Sequence, residues 1–360
     1  MAVVGSWNLV PEQKSDESFV EIRPADAKER MRREAAEAEA QRIRRAFDRS
    51  RAFEYESMIA HGVTGVSCKI RTKSQRGKSS RFVVKRAFRG GEQLIRAENR
   101  ILIRLRGAAH ILQLFRVDAR LNFPLSQGDA NTIITEYVEN GTLYDFFVVK
   151  FCIAMAYPPE AKPASVAVSE EIPTDPGKRQ RKYQLKHNDM HMNNILIGDL
   201  AIGKGYGVEH GLVPTLKLID FDHAHIVADP QNHDLGVREN IFDIGENMRA
   251  LIALDGRLQP ARDVQIDRPP RRYHIRTRAA DLQPATYPGT DPDILYLIMW
   301  CMAEDPLDRP TLEALDGEVR RLTQERTAHY YMRIGVPHAE DEADGEIMAL
   351  MEEFIFLPEF

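Results

Sequence analysis

Two carboxylates and a carboxamide are spaced along residues 187–222 as a magnesium-bound phosphate would require. Asp189 lies two residues after His187, Asn194 follows five residues later and opens the apolar run Ile195-Leu196-Ile197, and Asp220 closes a second apolar run, Leu216 to Ile219. Each polar group therefore begins or ends a short strand. An unprotonated carboxylate such as Asp189 can orient a hydroxyl and accept its proton. Magnesium takes a few hard oxygen ligands and keeps its waters, so one carboxylate, Asp220, and one amide oxygen, Asn194, are a sufficient protein contribution. Alone, an H-x-D or a D-F-D is a common turn sequence; in order between apolar runs, the set reads as a site.

Such a site needs elements to carry it. Arg81-Phe82-Val83-Val84-Lys85 reads as a strand ending in a lysine. Glu98 opens ENRILIRLRGAAHI, an apolar-periodic helix with Ile101, Leu102 and Leu105 on one side. Ahead of that strand, Gly62 and Gly65 punctuate Ala60-His61-Gly62-Val63-Thr64-Gly65, where missing side chains would let backbone amides approach an anion or simply form a hairpin turn. Thr132 to Glu136 is a further apolar strand, running into Tyr137-Val138-Glu139-Asn140-Gly141.

The order of these pieces resembles the protein kinase superfamily, whose catalytic loop H-R-D-L-x-x-x-N reads H-N-D-M-H-M-N-N here, and whose D-F-G reads D-F-D. The resemblance implies an α+β, bilobal protein-kinase-like fold, with a β-rich N-lobe over residues 53–138 and a helical C-lobe over 139–322. It further implies ATP and Mg as cofactors. Lys85 would hold the α- and β-phosphates, Glu98 would pair with Lys85 (Glu92 being the substitute), and Asp189 would be the base. Asn194 and Asp220 would bind the metal, Gly62 and Gly65 the phosphates, and backbone groups around Glu136 and Val138 the adenine, with Thr135 behind it. Asn240-Ile241-Phe242-Asp243-Ile244-Gly245 is similar to the D-x-W-x-x-G helix that supports the catalytic loop. Asp305-Pro306-Leu307-Asp308-Arg309-Pro310-Thr311 is similar to D-P-x-x-R-P-T, which makes Arg309 a buried structural cation.

Departures from the pattern are equally specific. Ala60 replaces the first loop glycine, Asn188 the catalytic-loop arginine, and twenty residues without A-P-E separate Asp220 from Asn240. Tyr144 to Tyr157 offers one apolar helix where the family spends two, and residues 158–186 follow as a polar, proline-containing loop. Loss of the arginine argues against control by activation-loop phosphorylation.

The flanks read differently. Residues 1–52 form an N-terminal extension whose Ala-, Glu- and Arg-rich part, Pro24 to Tyr55, is expected as a long exposed helix, with a coiled coil as the other reading. Residues 256–290 read as an arginine-rich loop, Thr311 to about Met332 as a helix, and 323–360 as an acidic tail in which Ile347, Leu350, Met351 and Phe354 give a short amphipathic helix. A net charge of −5 argues against general nucleic-acid binding, although eight basic residues lie between Lys69 and Arg86. The cysteines Cys68, Cys152 and Cys301 have no metal or redox spacing, and no run is long and apolar enough for a membrane span. A cytoplasmic protein is expected, with the basic run Lys178 to Lys182 leaving nuclear import open.

Together these readings imply transfer of the ATP γ-phosphate to a hydroxyl of a protein substrate. Two alternatives stand beside it. A pseudokinase that binds a protein partner without catalysis is suggested by the abbreviated segments. A small-molecule phosphotransferase is suggested by His191 and Asp222, since H-x-D-x-H and I-D-F-D look similar to aminoglycoside and choline kinases.

Overall fold

Alternation along one strand organises the first half of the chain. In β3 (Arg81–Ala87), Phe82 and Val84 are buried on one face, while Lys85 and Ala87 point to the other. β3 is central in a four-stranded antiparallel sheet of order β1-β2-β3-β4, where β1 is Phe53–His61, β2 Gly65–Thr72 and β4 Thr132–Glu136. Helix α1 (Pro24–Asp48) covers the Phe82 face and α2 (Glu92–Arg104) the Lys85 face. The computed structural model describes residues 24–73, 79–115, 123–125, 131–138, 183–200, 214–227, 234–268, 271–336 and 338–352, and within them the chain is a mixed α+β structure. The expected helix 144–157, Asn140-Gly141, the basic run 178–182, Cys152 and Phe354 lie outside the described residues.

The expectation that α1 is a solvated extension is corrected. Ala36, Ala40, Ile43 and Phe47 recur at helical spacing and are buried with Phe53, Val66, Cys68, Ile70 and Phe82. Small residues supply half of that stripe, so the sequence shows few large apolar side chains although the face is covered. Phe47, Phe53, Phe82 and Phe123 meet edge-on or tilted at centroid distances of 5.4–6.1 Å, and full burial of the first three contributes about 1.5–3 kcal/mol each. Glu39, 8% exposed, pairs with Arg86 of β3 at 2.8 Å, which fixes the helix's register on the sheet.

Two short antiparallel pairs follow: β5 (Leu185–Lys186) with β8 (His225–Ile226), and β6 (Ile195–Ile197) with β7 (Leu216–Leu218). Helix α3 (Leu235–Ala253) runs beneath them against α4 (Pro292–Cys301) and α5 (Leu312–Glu325). Gly245 permits the α3–α4 contact, since a Cβ there would stand 2.8 Å from Met302 Cγ and 2.9 Å from Cys301 Cβ.

Two more expectations are corrected. Residues 256–290 are not all loop: β9 (Arg262–Arg268) and β10 (Arg271–Thr277) form a hairpin that buries Ile266 and Ile275 against Leu295, Ile298 and Met299. The charged residues between them hid the alternation. The helix from Thr311 breaks at Arg326 and restarts as α6 (Ala328–Arg333), because Arg326 turns to Asp291 and Asp293 while the Thr327 side chain caps the new start. In the tail, α7 (Asp344–Met351) forms and Met351 is buried.

Candidate functional site

Strand register brings the chemistry together. Ile195 pairs with Leu218, and the Ile219 amide donates to the Asn194 carbonyl at 2.9 Å, so Asn194 and Asp220 emerge at the same end of one small hairpin. Asp220 adopts a left-handed backbone, φ 64°, which an aspartate tolerates better than a branched residue. The Asn194 amide nitrogen donates to Asp189 twice, to its backbone oxygen at 2.8 Å and to Oδ2 at 3.0 Å. That orients the carboxamide and keeps its own oxygen as an acceptor. His191 Nε2 stands 3.5 Å from Asp189 Oδ1, half exposed.

From the sheet side, Lys85 Nζ donates to Glu98 Oε2 at 2.9 Å and to Asp220 Oδ1 at 2.6 Å. Glu98 lies in the middle of α2, on the stripe with Ile95 and Leu102, and is 3% exposed. Glu92 is spent on the Gly90 amide at 2.8 Å. Burial alone would depress the lysine, but the two carboxylates outweigh it and Lys85 is held protonated above its ordinary value. Glu98 is pushed up to about 6: burial raises it, and the charges of Asp220 and Asp222 add to that against the pull of Lys85. One ammonium cannot fully compensate three nearby carboxylates.

Asp222 extends the cluster. It is 6% exposed, and Thr64 Oγ1 donates to its Oδ2 at 3.0 Å, tying the β1–β2 turn to the segment after Asp220. Its Oδ1 is buried without a hydrogen-bond partner. Nothing in the sequence around Thr64 marks this contact, although the second acid of D-F-D is visible there.

The loop glycines serve the hairpin. Gly62 N donates to Gly65 O at 3.0 Å, and Gly62 has open space around it. Gly65 is required by close packing: a Cβ would lie 2.2 Å from the Arg86 carbonyl oxygen. Glu136 donates its amide to Gln113 O at 2.9 Å and accepts from Lys217 at 2.8 Å, while Val138 is half-buried just beyond β4. Thr135 is 5% exposed.

Beneath the loop, α3 pins its backbone. Asn240 accepts from His187 N at 3.0 Å and donates to Leu185 O at 2.7 Å, and Asn247, two turns on, donates to Met190 O at 2.8 Å. His187 donates from Nε2 to Ile219 O at 3.0 Å and accepts from the Asp189 amide at Nδ1, which requires the neutral ring; burial accordingly pushes it down to about 4. Arg309, 7% exposed, is held by Glu239 at 2.9 Å, with Phe242 4.6 Å beneath the guanidinium.

Among the described residues, no three His, Cys, Asp or Glu side chains are grouped to hold a metal, and no helix is long and apolar enough to cross a membrane. No protein-family model matches the chain, and no curated protein shows significant similarity to it.

Proposed function

We propose that the chain is an ATP- and magnesium-dependent protein kinase on a bilobal protein-kinase-like fold, transferring the γ-phosphate to a protein hydroxyl. The observation that carries this reading is Lys85 shared between Glu98 and Asp220, with Asn194, locked to Asp189, at the same end of the β6–β7 hairpin as Asp220. The donor set fits magnesium: Asn194, its nitrogen spent on Asp189, offers its oxygen, and Asp220 offers a carboxylate. Magnesium takes few protein ligands alongside phosphate and water, and these two residues supply them. Bound there, the ion would neutralise charge on the transferring phosphoryl group.

The chain's own residues then divide the work. Lys85 holds phosphate oxygens and is itself held by Glu98. Asp189, partly exposed, orients the acceptor hydroxyl and takes its proton, while Asn194 keeps its carboxylate in place. The Glu136 amide is already used, so a purine would be met by the backbone of Val138. A second reading, a small-molecule phosphotransferase, is favoured by His191 beside Asp189 and by the buried Asp222.

Labelled ATP offered with protein substrates and with amino alcohols separates the two. Asp189→Asn is expected to lower turnover by about a hundredfold or more while ATP binding survives. Equal background in wild type and Asp189→Asn on every substrate, in protein that binds ATP, would leave a pseudokinase. Asp220→Ala should abolish the magnesium-dependent part of thermal stabilisation by ATP.

A further inference from the structure

On the outer side of α2, away from Lys85, a groove of about 400 Å³ runs between the helix and the β5–β8 pair. Its floor is apolar, with Ile101 and Leu185 among the lining residues, and Ile103 and Ile226 stand at it 51% and 55% exposed. No aspartate or glutamate lines it, whereas Arg100, Arg104 and His225 do. Among the described residues neither arginine is paired with a carboxylate; both are exposed, and Arg104 lies 3.8 Å over the Tyr183 ring. In a chain of net charge −5, a cationic, acid-free groove with exposed isoleucines is a local reversal of the surface.

We propose that this groove docks an acidic amphipathic segment of a partner protein, its apolar face on Ile103 and Ile226 and its carboxylates on Arg100 and Arg104. Both walls lead to the site. α2 carries Glu98, and β8 directly follows the Asp220–Asp222 turn; His225 Nδ1 lies 2.5 Å from Asn188 Nδ2, adjacent to Asp189. An occupant bridging the walls therefore holds Glu98 and Asp220 in the arrangement in which both meet Lys85. This coupling, though not the docking, rests on the nucleotide-binding reading above.

A random peptide library displayed on phage, selected on the full chain, tests the docking. Enriched sequences should combine Asp or Glu with Leu, Ile or Phe. A synthetic peptide of the enriched sequence should bind at least about tenfold more weakly to the Arg100→Glu/Arg104→Glu and Ile103→Ser variants, because charge reversal places like charges in contact. Replacing its acids by lysine should restore binding to the doubly reversed variant. By reciprocal linkage, the peptide should tighten ATP binding by about fivefold or more. Enrichment of neutral or basic peptides, or binding indifferent to both variants, overturns the proposal. So does a dimer in sedimentation that Ile103→Ser dissociates, which would give the groove to a second copy. Peptide docking that passes these tests in a chain that binds no ATP would instead refute the nucleotide reading alone.

Discussion

Replacing Lys85 with methionine removes the cation shared by two carboxylates while keeping an unbranched apolar stem in its place. The lysine side chain is 17% exposed and the Glu98 side chain 4%, so water screens this pair little. Breaking a buried pair by removing one partner costs about 3–5 kcal/mol, because the other charge is stranded. Asp220, 32% exposed, keeps solvent and adds less. Protonation of Glu98 offers an escape, which makes the cost depend on pH. In the folded wild type Glu98 is raised from 4.5 to about 6, so its contribution to stability is full below 4.5 and lost as pH rises through about 6. Without Lys85 it rises further and the loss extends to higher pH. Urea unfolding should therefore show Lys85→Met destabilised by about 3 kcal/mol at about pH 8 and by about 1 kcal/mol at about pH 5. Adding Glu98→Leu should recover about half of the alkaline loss, since a fully apolar replacement strands no charge on α2. Equal losses at both pH values, or no loss at the higher one, would refute the claim that Lys85 compensates a buried glutamate.

Two further outcomes follow from α3. Asn240→Ala leaves the buried His187 amide and Leu185 carbonyl without their partner, so unfolding should become easier by about 2–3 kcal/mol and turnover should fall more than ATP affinity. Burial pushes Asp243 up to about 7 against the pull of Lys186; its contribution to stability is present below the ordinary 3.8 and lost as pH rises through about 7. Asp243→Asn should therefore stabilise by up to about 2 kcal/mol more at about pH 8 than at about pH 5, measured by urea unfolding; an equal effect at both would mean that the carboxylate is solvated.

The sequence by itself determined the local pieces. Apolar runs bounded by polar residues placed β3, β4, β6 and β7, whereas grouping Lys85 and Glu98 with Asp189, Asn194 and Asp220 rested on the resemblance, since a lysine at a strand end reads locally as a solvated charge. The local pattern reads Glu98 as opening its helix, whereas the helix begins at Glu92 and carries Glu98 midway, on the buried stripe with Ile95 and Leu102. Composition showed the helix of α1 but not its burial, because a stripe built partly from Ala36 and Ala40 looks like a solvated face until a sheet lies against it.

Contacts between distant segments were decided only by tertiary structure. Thr64 reaches Asp222 across 158 residues, Arg309 meets Glu239 across 70, and Asn240 reaches back to Leu185 across 55. Local patterning constrains neighbours a few positions apart and says nothing of which polar group meets which after collapse. Buried donors and acceptors must then find partners among whatever the packing brings near, and in this chain the glutamate that answers Arg309 stands on α3, far in sequence from the arginine it holds.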